Sequence, residues 1–258
     1  MKRTILIIFI LFIALAGYFT GPMFYEFWKM DSEDPAVYAR DIDAFTAQDQ
    51  RQAPPENAVL FVGHSNIRYW DDLQAHMRPL VVIRRGFGGA KVNDLLFYAD
   101  RIITPYKPRA IVINIGGNDI TSGLGNVPKE APVVFETYKK LIAHIRAKLP
   151  DPPIYFLALT ASNDGSEDQR RAIALNRLVR DFMAQGERLY YIDASAGILN
   201  AQGRVDPELL RRDGAHLNAA GYARFAVPVR RRLLEDEPNW GQPKPAITPV
   251  DLHPSDAG

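Results

Sequence analysis

Val59-Leu60-Phe61-Val62-Gly63-His64-Ser65-Asn66 is the stretch whose pattern decides the fold. From Ala58 to Val62 every position is apolar, and the run stops at a glycine. Apolar residues on consecutive rather than alternate positions are what a strand buried on both faces requires. Four more runs of this kind follow, at Leu80–Ile83, Ala110–Ile115, Ile154–Leu159 and Leu189–Ile192. Between them lie helical faces. Val92, Leu95, Leu96, Ala99, Ile102 and Ile103 mark the first, and Val134, Tyr138, Leu141, Ile142, Ile145 and Leu149 the second, with Pro132 near its start. Ala172, Leu175, Leu178, Val179 and Phe182 mark a third. Tyr222, Phe225, Ala226, Val229 and Leu233 mark the last, with Asn218 placed to cap it. Alternating strands and helices predict an α/β domain, a parallel sheet covered by helices on both sides, over residues 58–235.

The flanks differ in character. Residues 30–57 form a polar lead-in in which Tyr38, Ile42 and Phe45 predict one short amphipathic helix, ended by Ala53-Pro54-Pro55. Residues 236–258 scatter five prolines among polar residues without periodicity, as expected of a disordered tail. In residues 1–29, Met1-Lys2-Arg3 precedes an uncharged apolar run from Ile5 to Ala16. A basic start before such a run is an export signal, and the positive end stays in the cytoplasm. Ala14-Leu15-Ala16 offers a cleavage pattern, whereas Tyr18, Phe19, Phe24, Tyr25, Phe27 and Trp28 suit the aromatic belt of a retained anchor. Membrane association is therefore expected through residues 4–20. The body is expected to be exported, periplasmic or at the extracytoplasmic face of the inner membrane, either anchored or secreted.

Composition removes several functions. The 258 residues carry 31 Lys+Arg against 30 Asp+Glu, a net charge of +1, so no nucleic-acid partner is expected. The absence of cysteine excludes disulfides, thiolate nucleophiles and cysteine-based zinc sites. No His-Glu-x-x-His pattern occurs, and no metal is expected. Gly86-Phe87-Gly88-Gly89-Ala90-Lys91 begins like a dinucleotide loop, but lysine stands at the third glycine position and no cofactor is expected. Gly63-His64-Ser65-Asn66-Ile67 lacks the second glycine of a nucleophile elbow.

Open parallel sheets bind ligands beyond the carboxyl ends of their strands. Gly63-His64-Ser65-Asn66 follows the first run, Gly86-Phe87-Gly88-Gly89 the second and Gly116-Gly117-Asn118-Asp119 the third. Asp213-Gly214-Ala215-His216 precedes the last helix. Taken singly, each reads as an ordinary turn or cap, since Ser, Gly, Asn and Asp are the turn residues. Taken together they permit acyl transfer. A serine hydroxyl needs a neighbouring base, and His216 is the candidate base for Ser65, oriented by Asp213. The amides of Ser65 and Gly89 and the side chain of Asn118 are candidate donors to an oxyanion. His64 is a poor candidate base because neighbouring side chains diverge, and it is expected to pack beneath the site. His76 and His144 are expected to face solvent, and His253 to be inert in the tail.

The four blocks, in this order, resemble the SGNH (GDSL) hydrolase family, and within it the bacterial members related to platelet-activating-factor acetylhydrolase. The resemblance runs from Ala58 to Leu234, and His64 stands where the family usually has aspartate or a small residue. It implies a flavodoxin-like three-layer α/β/α sandwich with a parallel five-stranded sheet. It also implies Ser65 as nucleophile, Asp213 and His216 completing a triad, and Gly89 and Asn118 completing the oxyanion hole. The expected function is a serine esterase removing short acyl groups from lipid, glycan or small-molecule esters through an acyl-enzyme on Ser65. An acyltransferase using the same serine, and an inactive membrane-tethered binding protein, are the alternatives.

Overall fold

The structure is a computed structural model that describes residue 25 and residues 28–122, 126–162 and 164–240. The apolar run at residues 4–20 and the tail beyond Trp240 lie outside the described residues. Among those described, no helix is long and apolar enough to cross a membrane.

Five strands form one sheet: β1 (Val59–Gly63), β2 (Val82–Gly86), β3 (Ala110–Asn114), β4 (Ile154–Leu157) and β5 (Leu189–Ile192). Their order is β2-β1-β3-β4-β5 and every pairing is parallel. The helices are α1 (Ala39–Arg51), α2 (Ser65–Arg68), α3 (Leu73–His76), α4 (Val92–Ile102), α5 (Gly117–Ile120), α6 (Ala131–Lys148), α7 (Glu167–Gln185) and α8 (Ala219–Asp236). This is the expected three-layer α/β/α architecture.

Because strand side chains alternate between faces, the doubly buried strands feed two separate cores. Leu60, Val62, Ile111, Ile113 and Phe156 pack with Ile42 of α1, Leu95 of α4, Leu141 of α6 and Val179 of α7. Val59, Phe61, Val112, Tyr155 and Leu157 pack on the other side with Trp70, Leu73 of α3, and Phe225 and Val229 of α8. Each large apolar side chain taken fully out of water adds about 1.5–3 kcal/mol.

The second strand runs later than the apolar run indicated. Leu80 is buried ahead of the strand, and Arg84 and Arg85 belong to the ladder. The strand lies at the sheet edge, where charged side chains find room: Arg84 reaches Asp71, and Arg85 reaches Asp49 of α1 and the Tyr106 hydroxyl. At the other end of the fold, packing continues past Glu235. Trp240 is buried and donates its indole N–H to Tyr155 Oη at 2.8 Å.

Register fixes the level of the sheet edge. Gly63 is paired with Gly86 on one side and Asn114 on the other. Gly63 has φ +152°, and a Cβ there would lie 1.9 Å from the Asn114 carbonyl oxygen. No L side chain fits this crossing. Gly63→Ala is therefore expected to cost about 3 kcal/mol or more in denaturant unfolding. An unchanged midpoint would mean that the end of β3 can move aside.

Candidate active site

Ser65 stands at the first position of α2, immediately past the Gly63 crossing. At that position a helix leaves the backbone N–H without an intrahelical acceptor, so the Ser65 amide is available to a ligand. His64 caps the helix, its Nδ1 accepting from the Asn66 N–H at 3.3 Å. The hydroxyl of Tyr222 in α8 donates to the Asn66 carbonyl at 2.9 Å and ties this turn to α8.

His216 and Asp213 come from a turn between residue 210 and α8. Leu210 and Leu217 form an antiparallel bridge, the Arg211 N–H donates to His216 O at 2.7 Å, and Gly214 takes φ +68°. Asn218 caps α8 by accepting from the Gly221 N–H, and its amide donates to the carbonyls of Glu208 and Leu210. The turn is thus braced on both sides.

These elements bring the three groups together. His216 Nε2 lies 2.9 Å from Ser65 Oγ, and His216 Nδ1 lies 2.9 Å from Asp213 Oδ2. The other Asp213 oxygen accepts from the backbone N–H groups of Ala215 and His216. Partial burial raises the Asp213 carboxyl, but these amides and the His216 ring outweigh it and hold the group down at about 2. Asp213 is therefore an anion throughout the neutral range. Tyr69 packs edge-on against the His216 ring at 4.8 Å, and the Arg211 guanidinium lies over Tyr69 at 4.6 Å.

Gly89 and Asn118 border the same cleft as Ser65 and His216. Gly89 has φ +79°. Asn118 Nδ2 donates to the Ala90 carbonyl at 3.0 Å, which links the second loop to the third and leaves the other amide proton for a ligand. The cleft holds about 800 Å³ and is largely apolar, with Ile120, Leu159, Ile198, Val205, Leu210 and Phe225 among its lining. All the predicted site residues thus meet at one place, and their arrangement can relay a proton from a hydroxyl while offering N–H donors to an oxyanion.

His64 is buried beneath this cleft, as expected. Its ring also approaches the serine, with Nδ1 3.4 Å from Ser65 Oγ, because capping turns it along the helix start. Burial, and next the charge of His216, push its pKa down to about 4, so the ring is neutral at neutral pH. Two other histidines are not idle. His76 Nδ1 accepts from the Trp70 indole at 2.9 Å, and His144 Nε2 pairs with Asp100 at 2.8 Å. Trp70 stands six residues before His76, and His144 of α6 meets Asp100 of α4 across two helices, so neither partner lies at helical spacing. His253 lies outside the described residues.

Sequence reasoning missed Met30 and Tyr69 in the cleft wall, and also the polar groups buried behind it. Asp94 accepts from the Lys91 N–H at 2.8 Å and Asp119 from the Val92 N–H at 2.9 Å. The signal was present for Asp119, adjacent to Asn118. Among the described residues no cluster of three or more His, Asp or Glu could hold a metal ion.

Residues 45–224 match the model of the GDSL-like lipase/acylhydrolase family. The chain belongs to that family. It is accordingly an ester hydrolase. Over 216 residues it is 24% identical to the platelet-activating factor acetylhydrolase IB subunit alpha1 of Bos taurus, covering 78% of this chain and 86% of that protein. The fold is shared with a GDSL-like lipase of Bacteroides thetaiotaomicron (TM-score 0.61, 15% identity, 75% of this chain and 97% of that one). It is also shared with an acetylxylan esterase of Geobacillus stearothermophilus (TM-score 0.55, 18% identity, 72% and 96%).

Burial, with Asp119 and Glu33 contributing, pushes the Asp94 carboxyl up to about 7 from an ordinary 3.8. The folded protein then holds a proton there that the unfolded chain has already released, so between pH ~4 and ~7 this group makes stability fall as pH rises. Asp94→Asn keeps the acceptor and removes the titration. Its melting temperature relative to wild type is expected to climb across that window and level off above it. A constant difference from pH 4 to 8 would show that Asp94 ionises normally.

Proposed function

We propose that this hydrolase cleaves carboxylic esters through an acyl-enzyme on Ser65. The observation carrying this reading is the continuous chain from Ser65 Oγ through His216 Nε2 and Nδ1 to Asp213, both links at 2.9 Å. Ser65 Oγ attacks the acyl carbon while its proton passes to His216 Nε2. Asp213 stabilises the imidazolium that results. The carbonyl oxygen becomes an oxyanion facing the amides of Ser65 and Gly89 and the free proton of the Asn118 amide. When the tetrahedral intermediate collapses, the bond to the alcohol oxygen breaks and that oxygen takes the proton from His216. Water then attacks the acyl-enzyme, giving its proton to His216. The acid leaves, and Ser65 recovers its proton.

The named activities of two relatives, an acetylhydrolase and an acetylxylan esterase, concern acetyl esters, and this supports a short acyl group here. An acetyl group fills little of a cleft of about 800 Å³. The remaining apolar space then receives the alcohol part of a lipid, glycan or small-molecule ester. Ser65→Ala and His216→Ala are expected to lower hydrolysis of p-nitrophenyl acetate by roughly 10⁴-fold or more and to abolish fluorophosphonate labelling. Undiminished labelling of the folded Ser65→Ala protein would refute the assignment.

We further propose that the catalytic body works outside the cytoplasm. The support is Met1-Lys2-Arg3 ahead of the uncharged run Ile5–Ala16. Fractionation of expressing cells should place the protein in the membrane or periplasmic fraction and leave it open to protease added to spheroplasts. Recovery from the cytosol in a protected form would contradict this.

A further inference from the structure

The family match begins at residue 45, yet the chain before it reaches the cleft. Met30 lines the cleft beside Gly89, where a Cβ would come within 2.5 Å of Met30 Cγ and 2.9 Å of Tyr38 Oη. Tyr38 is fully buried, lies edge-on to Phe87 with ring centroids 5.2 Å apart, and donates its hydroxyl to the Lys29 carbonyl at 3.4 Å. The segment from residue 29 to residue 38 thus forms the back of the loop that carries Gly89.

The charges in this region have a definite arrangement. Lys91 follows Gly89-Ala90, and its side chain is only 2% exposed. Its ammonium donates to the Ser32 carbonyl at 3.2 Å and to one Glu33 oxygen at 2.7 Å. The other Glu33 oxygen accepts from Lys129. Lys129 belongs to the loop behind Asn118: its N–H donates to the Asp119 carbonyl at 2.7 Å, and nearby Asn126 donates to the Asn118 carbonyl at 2.8 Å. One carboxylate therefore holds a cation from the Gly89 loop with one oxygen and a cation from the Asn118 loop with the other. Burial raises the Glu33 carboxyl, but the two ammonium groups outweigh it and keep it below the usual range. Without that anion the two loops would present like charges to each other. Two direct side-chain bonds also join the loops, Asn118 Nδ2 to the Ala90 carbonyl and the Val92 N–H to Asp119.

We propose that Glu33 is a positioning residue that fixes the spacing between the Gly89 amide and the Asn118 side chain, making the segment ahead of the family domain a working part of the site. This rests on the reading of Gly89 and Asn118 as oxyanion donors. Such donors act only when held at the position the oxyanion will occupy, and a misplacement of about 1 Å can cost on the order of 100-fold in rate. The clamp acts on the transition state and leaves ground-state binding of the ester nearly untouched.

The test uses the full chain with Glu33→Gln, Glu33→Asp and Lys129→Met. Lys129→Met leaves the Lys91–Glu33 pair intact, so it keeps the test valid if the Glu33 variants do not fold. The readouts are kcat and KM on p-nitrophenyl acetate, normalised to serine titrated with fluorophosphonate, and inhibition by a trifluoromethyl ketone, which forms a tetrahedral adduct. Expected are a fall in kcat of roughly 10- to 100-fold for Glu33→Gln, a smaller one for Lys129→Met, and partial recovery in Glu33→Asp. KM should stay within about twofold, and ketone affinity should fall in step with kcat. Unchanged kcat per titrated serine in folded Lys129→Met and Glu33→Gln would overturn the proposal. A wild type without turnover would instead count against the esterase reading. The clamp is then judged by hydrogen exchange: faster exchange in both 86–91 and 117–121 in Lys129→Met supports it, and unchanged exchange overturns it.

Discussion

The level at which three strands end is the constraint on which the site depends. Gly63, Gly86 and Asn114 are paired side by side, so the loops leaving β1, β2 and β3 start from one line. Two backbone bonds past the ladder, His64 N–H to Asn114 O and Phe87 N–H to Gly63 O, each 3.1 Å, bind those exits together. Ser65, Gly89 and Asn118 are far apart in sequence but hang from this line within a few residues. A slip of one residue in a strand would turn its side chains to the opposite face, and the three groups could not meet.

Above that line, polar groups take over from the apolar layers. Hydrophobic packing is non-directional; it holds the sheet and helices together but does not set the path of a loop. Asp94 and Asp119 set that path by accepting the N–H groups of Lys91 and Val92 at the start of α4, with Lys91 buried among them. Burying so many ionisable groups costs free energy unless each is bonded. The same expense makes alternative loop paths unfavourable, because any of them would leave a buried group unpaired.

The sheet was legible because doubly buried strands leave an unmistakable mark: β5 was read to its residue, and β1, β3 and β4 to within one or two. β2 was the exception. Arg84 is half-buried and Arg85 buried, and both join the strand because Asp71, Asp49 and Tyr106 satisfy their guanidinium groups, which an apolar pattern could not include. Ser65, Gly89, Asn118, Asp213 and His216 were legible because reactive residues followed strand ends and glycines. The helix at Ser65–Arg68 was not, since its cap is a histidine, a residue seldom used that way. Glu33, Met30 and Lys91 were illegible for another reason. Their meaning lies in contacts between residues 58 to 96 positions apart, and no local spacing encodes those.

The proposed base and its orienting carboxylate share a single turn at the surface. The Asp213 side chain is 48% exposed and His216 25%, whereas Ser65 follows two residues after β1. Local opening costs less where little is buried. Local opening of that turn would separate His216 from Ser65 while leaving the residues of both cores in place. On the proposed mechanism, activity would then depend on the least buried part of the site, and closing the turn again would restore it.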